Sequence, residues 1–480
     1  MTTTSWARGV SGFFNAPSNW TNGVPMAGNT ALITAKGTYS VVSLEPSVIA
    51  TLEMAKDATL AILPGSPDIP DTLDVTSGTG AGAFAGTITI AAQDTLELGA
   101  DFTATTFDNA GAIDTQSEGS LNDPNGVLQI DGTVTLTGKG QINLLGVNTL
   151  PAISGGAPFA KLINDGNTIS GTGLIGDENL SFVNDAKGVV DSNKFLGGIE
   201  LETQSAVNLG LMEATEGSEL SFATDVTQSG KGEIKAATPV SLVTLLGATI
   251  SGGLVATVKG AYLYATSFDS AIDNQKKAIN NAGTIDVNGG GSLTIEGAVK
   301  NTGALVVETI ASLTVDGAVE GGAAEIMGSG RMSFSSASSA NVSFASGSTG
   351  ALILKDASQF TGTVTGMTGN PDAAIDLENI SFADNPVVSP VSAKGVLTVA
   401  DPVTHTVDTI KIVGGGMFTA SLATDGSTLI SDTLLTPATV PLLAQSMASF
   451  GASTAVAASS GASGDDHHQS LDFLASPHWG

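Results

Sequence analysis

The feature that most constrains the fold is a repeat of about 20 residues in the second half of the chain. The stretch NAGTIDV from Asn281 is followed by SLTIEGAV from Ser292, and NTGALVV from Asn301 and SLTVDGAV from Ser312 repeat the pattern. Each half alternates apolar and polar residues, as a strand with one buried face does. One such unit cannot enclose a core alone, but stacked units can. The repeat therefore predicts an all-β chain: a single right-handed parallel β-helix (β-solenoid) with about 20 residues per coil.

Related glycine-containing motifs extend this prediction along most of the chain. A Gly-x-Gly-x-apolar element recurs at Gly138, Gly171, Gly230 and Gly328. We assign residues 1–60 to an aromatic-rich N-terminal cap and the first coils, 61–435 to the parallel β-helix, and 436–480 to a C-terminal tail. Within the tail we expect a short helix from Pro441, then a flexible Ala/Ser/Gly linker, then a C-terminal secretion signal.

Asparagines recur just before glycine at the predicted turns, for example at Asn109, Asn281 and Asn301. Stacked asparagines in successive coils can hydrogen-bond through their side-chain amides, and asparagine also tolerates the left-handed backbone of a tight corner. We therefore interpret these residues as structural ladders and not as a binding site.

Aromatic residues make up only 5% of the chain, yet Trp6, Phe13, Phe14 and Trp20 lie close together near its start. An open solenoid end would expose apolar core and unpaired strand edges. We expect these side chains to cover that end. The alternative is an aromatic platform that binds carbohydrate.

Charge and composition exclude several classes of function. Seventeen basic residues against 46 acidic ones give a net charge of −29, which excludes nucleic acid as a partner. The chain has no cysteine, so disulfides and thiolate chemistry are absent. No apolar run is long enough to predict a transmembrane helix. We assign no cofactor, although the excess of carboxylates leaves calcium open.

The inventory of catalytic residues is small. His405 is the first histidine, and His467, His468 and His478 all lie in the tail, so the β-helix has no base for a Ser-His-Asp triad. We predict no catalytic, cofactor-binding or metal-binding residues, and no enzymatic activity. A polysaccharide lyase or hydrolase on the same scaffold would need convergent carboxylates. The nearest candidates are interpreted as solvated turn residues: Asp286, Glu296, Asp316 and Glu325.

Several segments resemble a known family. They include Asn19 to Pro25 (NWTNGVP), Gly171 to Ile175 (GTGLI) and Ser339 to Phe344 (SANVSF). With the central repeat, they are similar to the adhesin-like, autotransporter-passenger-like β-strand-repeat proteins of alphaproteobacteria. The start from Met1 to Val10 lacks the basic and apolar regions of a secretory signal peptide. The resemblance is therefore to a member exported by type I secretion, with its secretion signal at Gln469 to Leu474. The alternative is that this terminal segment has no role.

The resemblance implies an extracellular, secreted or cell-surface location. We expect a structural, adhesin-like rod of the cell surface or biofilm matrix, with a cell surface or a glycan as partner. Self-association into filaments, end to end or side by side, is the further expectation. The alternative function is a polysaccharide-binding or polysaccharide-degrading β-helix protein. A groove lined by convergent carboxylates and aromatics would favour the alternative, and a uniform Thr/Ser/Asn surface would favour the rod.

Overall fold

The fold is the parallel β-solenoid that the repeat predicts. The computed structural model describes residues 2–433, except 66–68, 79–83, 118–123, 147–150, 178 and 275–276. It is 54% strand and 2% helix, and its coils form about 15 turns of ~22 residues. The period of 20 is confirmed in the central repeat, where Ser292 pairs with Ser312. Elsewhere longer loops lengthen the coil; Leu96 pairs with Leu128, for example.

Each coil contributes strands to three faces, and each strand pairs in parallel with its equivalents in the coils before and after it. Face 1 contains Ser47–Ile49, Thr72–Val75, Pro151–Gly155, Gly198–Leu201, Glu219–Phe222, Leu242–Leu245, Tyr262–Ala265, Thr284–Val287, Ala304–Val307, Ala323–Ile326, Asn341–Phe344 and Thr363–Thr365. Face 2 contains Thr3–Ser5, Thr30–Ile33, Thr51–Met54, Ala160–Asn164, Leu180–Asn184, Ser205–Asn208, Val226–Gln228, Thr249–Ser251, Ser270–Asp273, Ser292–Ile295, Ser312–Val315, Arg331–Phe334 and Ala351–Leu354. Face 3 contains Gly12–Phe13, Tyr39–Ser43, Ala58–Ile62, Thr87–Ile90, Ala112–Gln116, Gln141–Leu145, Val189–Ser192, Leu211–Ala214, Glu233–Ala236, Leu254–Thr257, Ile279–Asn281, Val299–Asn301 and Val319–Glu320.

Three longer strands continue around a corner of the coil. Thr95–Asn109 and Val127–Gly138 belong to face 1 and then to face 2, and Thr168–Ile175 belongs to face 3 and then to face 1. Two single-turn 3-10 helices, Pro17–Asn19 and Ala357–Gln359, lie near the two ends of the stack.

The core is a set of apolar columns that run from coil to coil. Because the side chains of a strand alternate between its two sides, the buried positions of each strand stack on those of the next. Leu263, Ile285 and Leu305 form one such column on face 1, and all three are fully buried. Burying a side chain of this kind contributes about 1.5–3 kcal/mol. The summed columns stabilise the coils without any cross-link between them.

Glycine is required where two coils approach most closely. A Cβ at Gly303 would lie 1.9 Å from the carbonyl oxygen of Gly283 in the preceding coil. A Cβ at Gly283 would in turn lie 2.1 Å from the carbonyl oxygen of Ala261. The Ala-Gly and Thr-Gly pairs of the repeat therefore mark a corner at which a side chain would push the coils apart.

The N-terminal aromatic residues cover the first coil, as the sequence predicts. Trp6, Phe14, Trp20 and Tyr39 are all buried. The ring of Trp20 packs edge-on against both Trp6 and Phe14, with centroids 5.1 Å apart in each pair. Trp6 and Trp20 each donate the indole N–H to a backbone carbonyl, so both indole groups are satisfied. Because their rings are inside the cap, they do not form the alternative carbohydrate-binding platform; Phe13 alone of the cluster is exposed.

The C-terminal end has a different construction. Ala374–Ser381 pairs in parallel with Ala351–Leu354 on one side and antiparallel with Ser427–Asp432 on the other. The remaining strands of this cap form antiparallel pairs and are Val387–Val388, Val396–Ala400, Val407–Ile412 and Phe418–Leu422, with a 3-10 turn at Phe382–Asp384. Parallel stacking therefore ends inside the range 61–435 that the sequence assigns to the β-helix. The predicted tail, 436–480, lies outside the described residues.

Candidate functional site

Two ladders of buried amides connect successive coils. In the first ladder, Asn164 donates to Asn184, Asn184 to Asn208, and Asn208 to Gln228, each over 3.0 Å between amide nitrogen and oxygen. All four side chains are buried at the end of face 2. The three asparagines also bond to backbone groups of their own corner, as Asn184 does to the carbonyl of Gly188, whereas Gln228 bonds to backbone carbonyls of the next coil. The predicted structural role of the turn asparagines is thus confirmed.

The second ladder lies at the end of face 3, where Thr257 donates to Asn281 and Asn281 donates to Asn301 over 2.8 Å. The tight corner of the coil changes position together with the ladder. Earlier coils make their short glycine-containing connection between faces 2 and 3, and later coils make it between faces 3 and 1. The change falls between residues 249 and 284.

Face 1 carries several groups of ionisable side chains, which include Glu200 near Glu219 and two larger clusters. In the first, Glu97 pairs with Asp74 on one side and with Gln129 on the other, and Gln129 donates to Glu97 over 3.0 Å. Desolvation, together with the hydrogen bond and charge of Asp131, raises the pKa of Glu97 to about 8. Desolvation and the charge of Asp131 also raise the pKa of Asp74 to about 6. Near neutral pH Glu97 is therefore mainly protonated.

The second cluster surrounds two outward-facing tyrosines. The rings of Tyr262 and Tyr264 have centroids 5.5 Å apart. Asp286 lies opposite Tyr264 in the next coil. Its pKa is raised to about 6 by desolvation and by the charge of Glu308. Burial, followed by the charge of Asp286, raises the pKa of Tyr264. The tyrosine hydroxyls and the carboxylates together present hydrogen-bonding groups along the solenoid axis.

The four carboxylates considered from the sequence are not brought together. Asp286 and Glu325 share face 1 but lie two coils apart, with Val306 between them. Glu296 and Asp316 follow face 2 strands in successive coils, at a different corner. The clusters around Glu97 and around the tyrosines were missed, because only the inter-coil register shows which outward residues are neighbours.

The other two faces have a different surface. In the central coils, the outward positions of face 2 are hydroxyl-bearing residues such as Ser292, Thr294, Ser312 and Thr314. On face 3, Lys235 pairs with Glu213 in the preceding coil over 3.2 Å. Hydroxyl-bearing residues thus line face 2 of the central coils, and acidic residues occur on face 1 and, as Glu213 shows, on face 3.

An exposed apolar ridge follows the corner between faces 3 and 1. Phe195 and Val240 belong to different coils, and both lie over Gly217, because a Cβ there would be 2.9 Å from the ring of Phe195 and 3.2 Å from a methyl of Val240. Phe195 is 66% exposed and Leu196 is 86% exposed. We refer to Phe195, Leu196, Gly217 and Val240 as the apolar ridge.

The described residues contain no group of three or more His, Asp or Glu side chains arranged to hold a metal ion. His405 is exposed, in the loop between Val396–Ala400 and Val407–Ile412 of the C-terminal cap. His467, His468 and His478, with the secretion signal predicted at Gln469 to Leu474, lie outside the described residues.

No protein-family model matches the chain, and neither the curated proteins nor the solved structures compared with it give a match. The fold alone thus defines the class, a capped parallel β-solenoid. In the part of the chain that the structure describes, no helix is long and apolar enough to span a bilayer.

Proposed function

We propose that this chain is an extracellular structural protein, an adhesin-like rod of the cell surface or biofilm matrix. The observation that supports this proposal best is the in-register stack itself. Face 1 and face 2 strands pair from coil to coil across the central repeat, and the amide ladders reinforce the corners. Hydrogen bonds parallel to the axis resist extension of the stack, and a protein that separates a cell from a surface needs that property.

Self-association of this rod is proposed to be lateral. The aromatic cap covers the first coil, and antiparallel hairpins follow the last parallel strands, so strand addition at either end meets a covered edge. The apolar ridge offers a contact surface on the side of the stack instead. Phe195 and Leu196 together expose enough apolar surface to favour burial against another copy.

A second candidate function is supported by face 1. Tyrosines beside carboxylates are groups that bind sugar hydroxyls and stack on sugar rings, so the cluster around Tyr262 and Tyr264 favours glycan binding. Glycan cleavage is less well supported. The Glu97 and Asp131 carboxyls hydrogen-bond to each other, whereas the two carboxyls of a retaining or inverting glycosidase stand at least about 5 Å apart.

Localisation tests the proposal directly. Antibodies against the purified chain should label intact cells of the organism that encodes it, and labelling only after permeabilisation would refute the extracellular role. Deletion of residues 465–480 should abolish export if the tail is the secretion signal, and undiminished secretion would reject that part.

Assembly is tested by electron microscopy of the purified chain with and without calcium. Lateral association predicts bundles that disappear in a Phe195→Ser, Leu196→Ser variant. Isolated particles of the unaltered chain in both conditions would reject the filament form of the proposal.

A further inference from the structure

Two aspartates are completely buried at the same corner of successive coils. Asp71 and Asp94 each stand directly before a face 1 strand, and both are 0% exposed. These strands pair with each other, with Thr72 opposite Thr95. The backbone N–H of Asp71 donates to Oδ1 of Asp94 over 2.7 Å. The other three carboxyl oxygens of the two residues have no hydrogen-bond partner of ordinary geometry.

Other coils place neutral groups at this corner, which joins faces 3 and 1. Ser218 and Ser241 also stand directly before face 1 strands, and both are buried. The hydroxyl of Ser218 donates to the carbonyl of Ser192, and that of Ser241 accepts from the N–H of Gly217. A hydroxyl therefore satisfies the corner, and the fold by itself does not require a carboxyl there.

The charges that act on the pair are all negative. Burial is the main cause that raises the pKa of Asp94 to about 6; the N–H of Asp71 lowers it and the charge of Asp71 raises it. Burial also raises the pKa of Asp71, against the Ser43 hydroxyl and the Thr72 N–H, and the charge of Glu45 adds to the increase. No lysine or arginine of the described residues is among the groups that shift either pKa.

We propose that Asp71 and Asp94 form an acid-closed latch, a buried pair that binds protons and so holds coils 47–138 together at acidic pH. A protonated carboxyl places no charge in the interior and can donate as well as accept a hydrogen bond. Ionisation of both groups puts like charges into adjacent coils. These coils should then open more often than the rest of the stack, whether or not the chain acts outside the cell.

The direction of the pH dependence follows from the pKa of Asp94. Its value in the folded chain, about 6, is above the ordinary value of 3.8. The stabilisation is therefore complete below about pH 4 and is lost as the pH rises to about 6. Asp74 and Glu97 lie in the two strands that follow the pair, and Asp131 lies in the next coil. The pKa values of Asp74 and Glu97 are also raised, so these outward-facing groups act in the same direction.

Hydrogen exchange of the full chain tests where the latch acts. Amide protection, corrected for the intrinsic exchange rate, is measured from about pH 4 to about pH 7. Protection of Thr72–Val75 and of residues 95–98 should fall about tenfold or more over this range. Protection of Ser292–Ile295, far along the stack, should not change.

Substitution by asparagine separates the pair from the outward-facing carboxyls. Asparagine fills the same space, keeps an oxygen that accepts the backbone N–H, and does not titrate. In the double variant Asp71→Asn, Asp94→Asn the fall in protection should be smaller by about tenfold, which leaves the part due to Asp74 and Glu97. The exposed control Asp57→Asn should show the same fall as the unaltered chain.

A second measurement does not depend on the folding of a variant. In the unaltered chain with isotope-labelled aspartate, the carboxyl carbon of Asp94, assigned through bonds to its backbone, should titrate near pH 6 by NMR. Titration of both Asp71 and Asp94 near 3.8 would overturn the proposal. So would protection that does not depend on pH, a fall as large in the double variant as in the unaltered chain, or a loss spread evenly over the stack.

Discussion

Replacing a ladder asparagine tests how much the buried amides stabilise the solenoid. Asn281 is 1% exposed and makes three side-chain hydrogen bonds: it accepts from the hydroxyl of Thr257, and it donates to Asn301 and to the carbonyl of Ala304, each over 2.8 Å. Each bond has a net value of about 0.5–1.5 kcal/mol. Asn281→Ala should therefore lower the free energy of unfolding by about 2–4 kcal/mol.

The adjacent residue provides a matched control. Asn280 lies in the same strand, Ile279–Asn281, but its side chain points to solvent. Asn280→Ala has the same loss of atoms without the loss of a ladder bond, so its effect should be within about 0.5 kcal/mol. Equilibrium urea unfolding gives both values, and hydrogen exchange should show the loss of protection concentrated in coils 254–307.

Equal effects of the two substitutions would refute the reasoning. They would mean that the ladder amides exchange protein partners for water on unfolding without a net change in free energy. The apolar columns alone would then hold the coils together. A large effect of Asn281→Ala spread evenly over all coils would instead contradict local coupling between neighbours.

Three further predictions follow from burial, charge and close approach. Since the pKa of Glu97 is raised to about 8 from 4.5, the folded chain binds a proton that the unfolded chain releases, so stability should fall as pH rises from 5 through 8; Glu97→Gln should flatten this part of the urea-midpoint profile, and exposed Glu53→Gln should not. Trp20→Ala should cost about 3–5 kcal/mol and increase light scattering, because it opens the N-terminal cap; an unchanged melting temperature would contradict this. Gly303→Ala should cost about 1–3 kcal/mol by clashing with the preceding coil, while Gly415→Ala, which meets only open space, should be within about 0.5 kcal/mol.

Much of the fold could be predicted because a solenoid repeats one local solution. The alternation around Ile285 and Leu293 gives the strands, and the return of the same pattern at Leu305 and Leu313 gives the coil. The turn asparagines were predictable for the same reason, since Asn281 and Asn301 occur at matched positions. What the pattern does not contain is the direction of pairing, so the antiparallel cap after Ala374 was not foreseen.

Coil length decides which surface residues become neighbours. It can be inferred from the sequence only where the repeat is regular. Glu97 pairs with Gln129 because that coil is far longer than 20 residues, and no local pattern predicts this insertion. Asn274 is the sharper case: by itself it is one more turn asparagine, and only the register places it one coil after Gly252, which has no side chain to accept from its amide nitrogen. The sequence alone thus determined the solenoid, its capped start and its amide ladders, because these depend on local periodicity. The tertiary structure decided the carboxylate clusters and the apolar ridge, because these depend on which coils become neighbours.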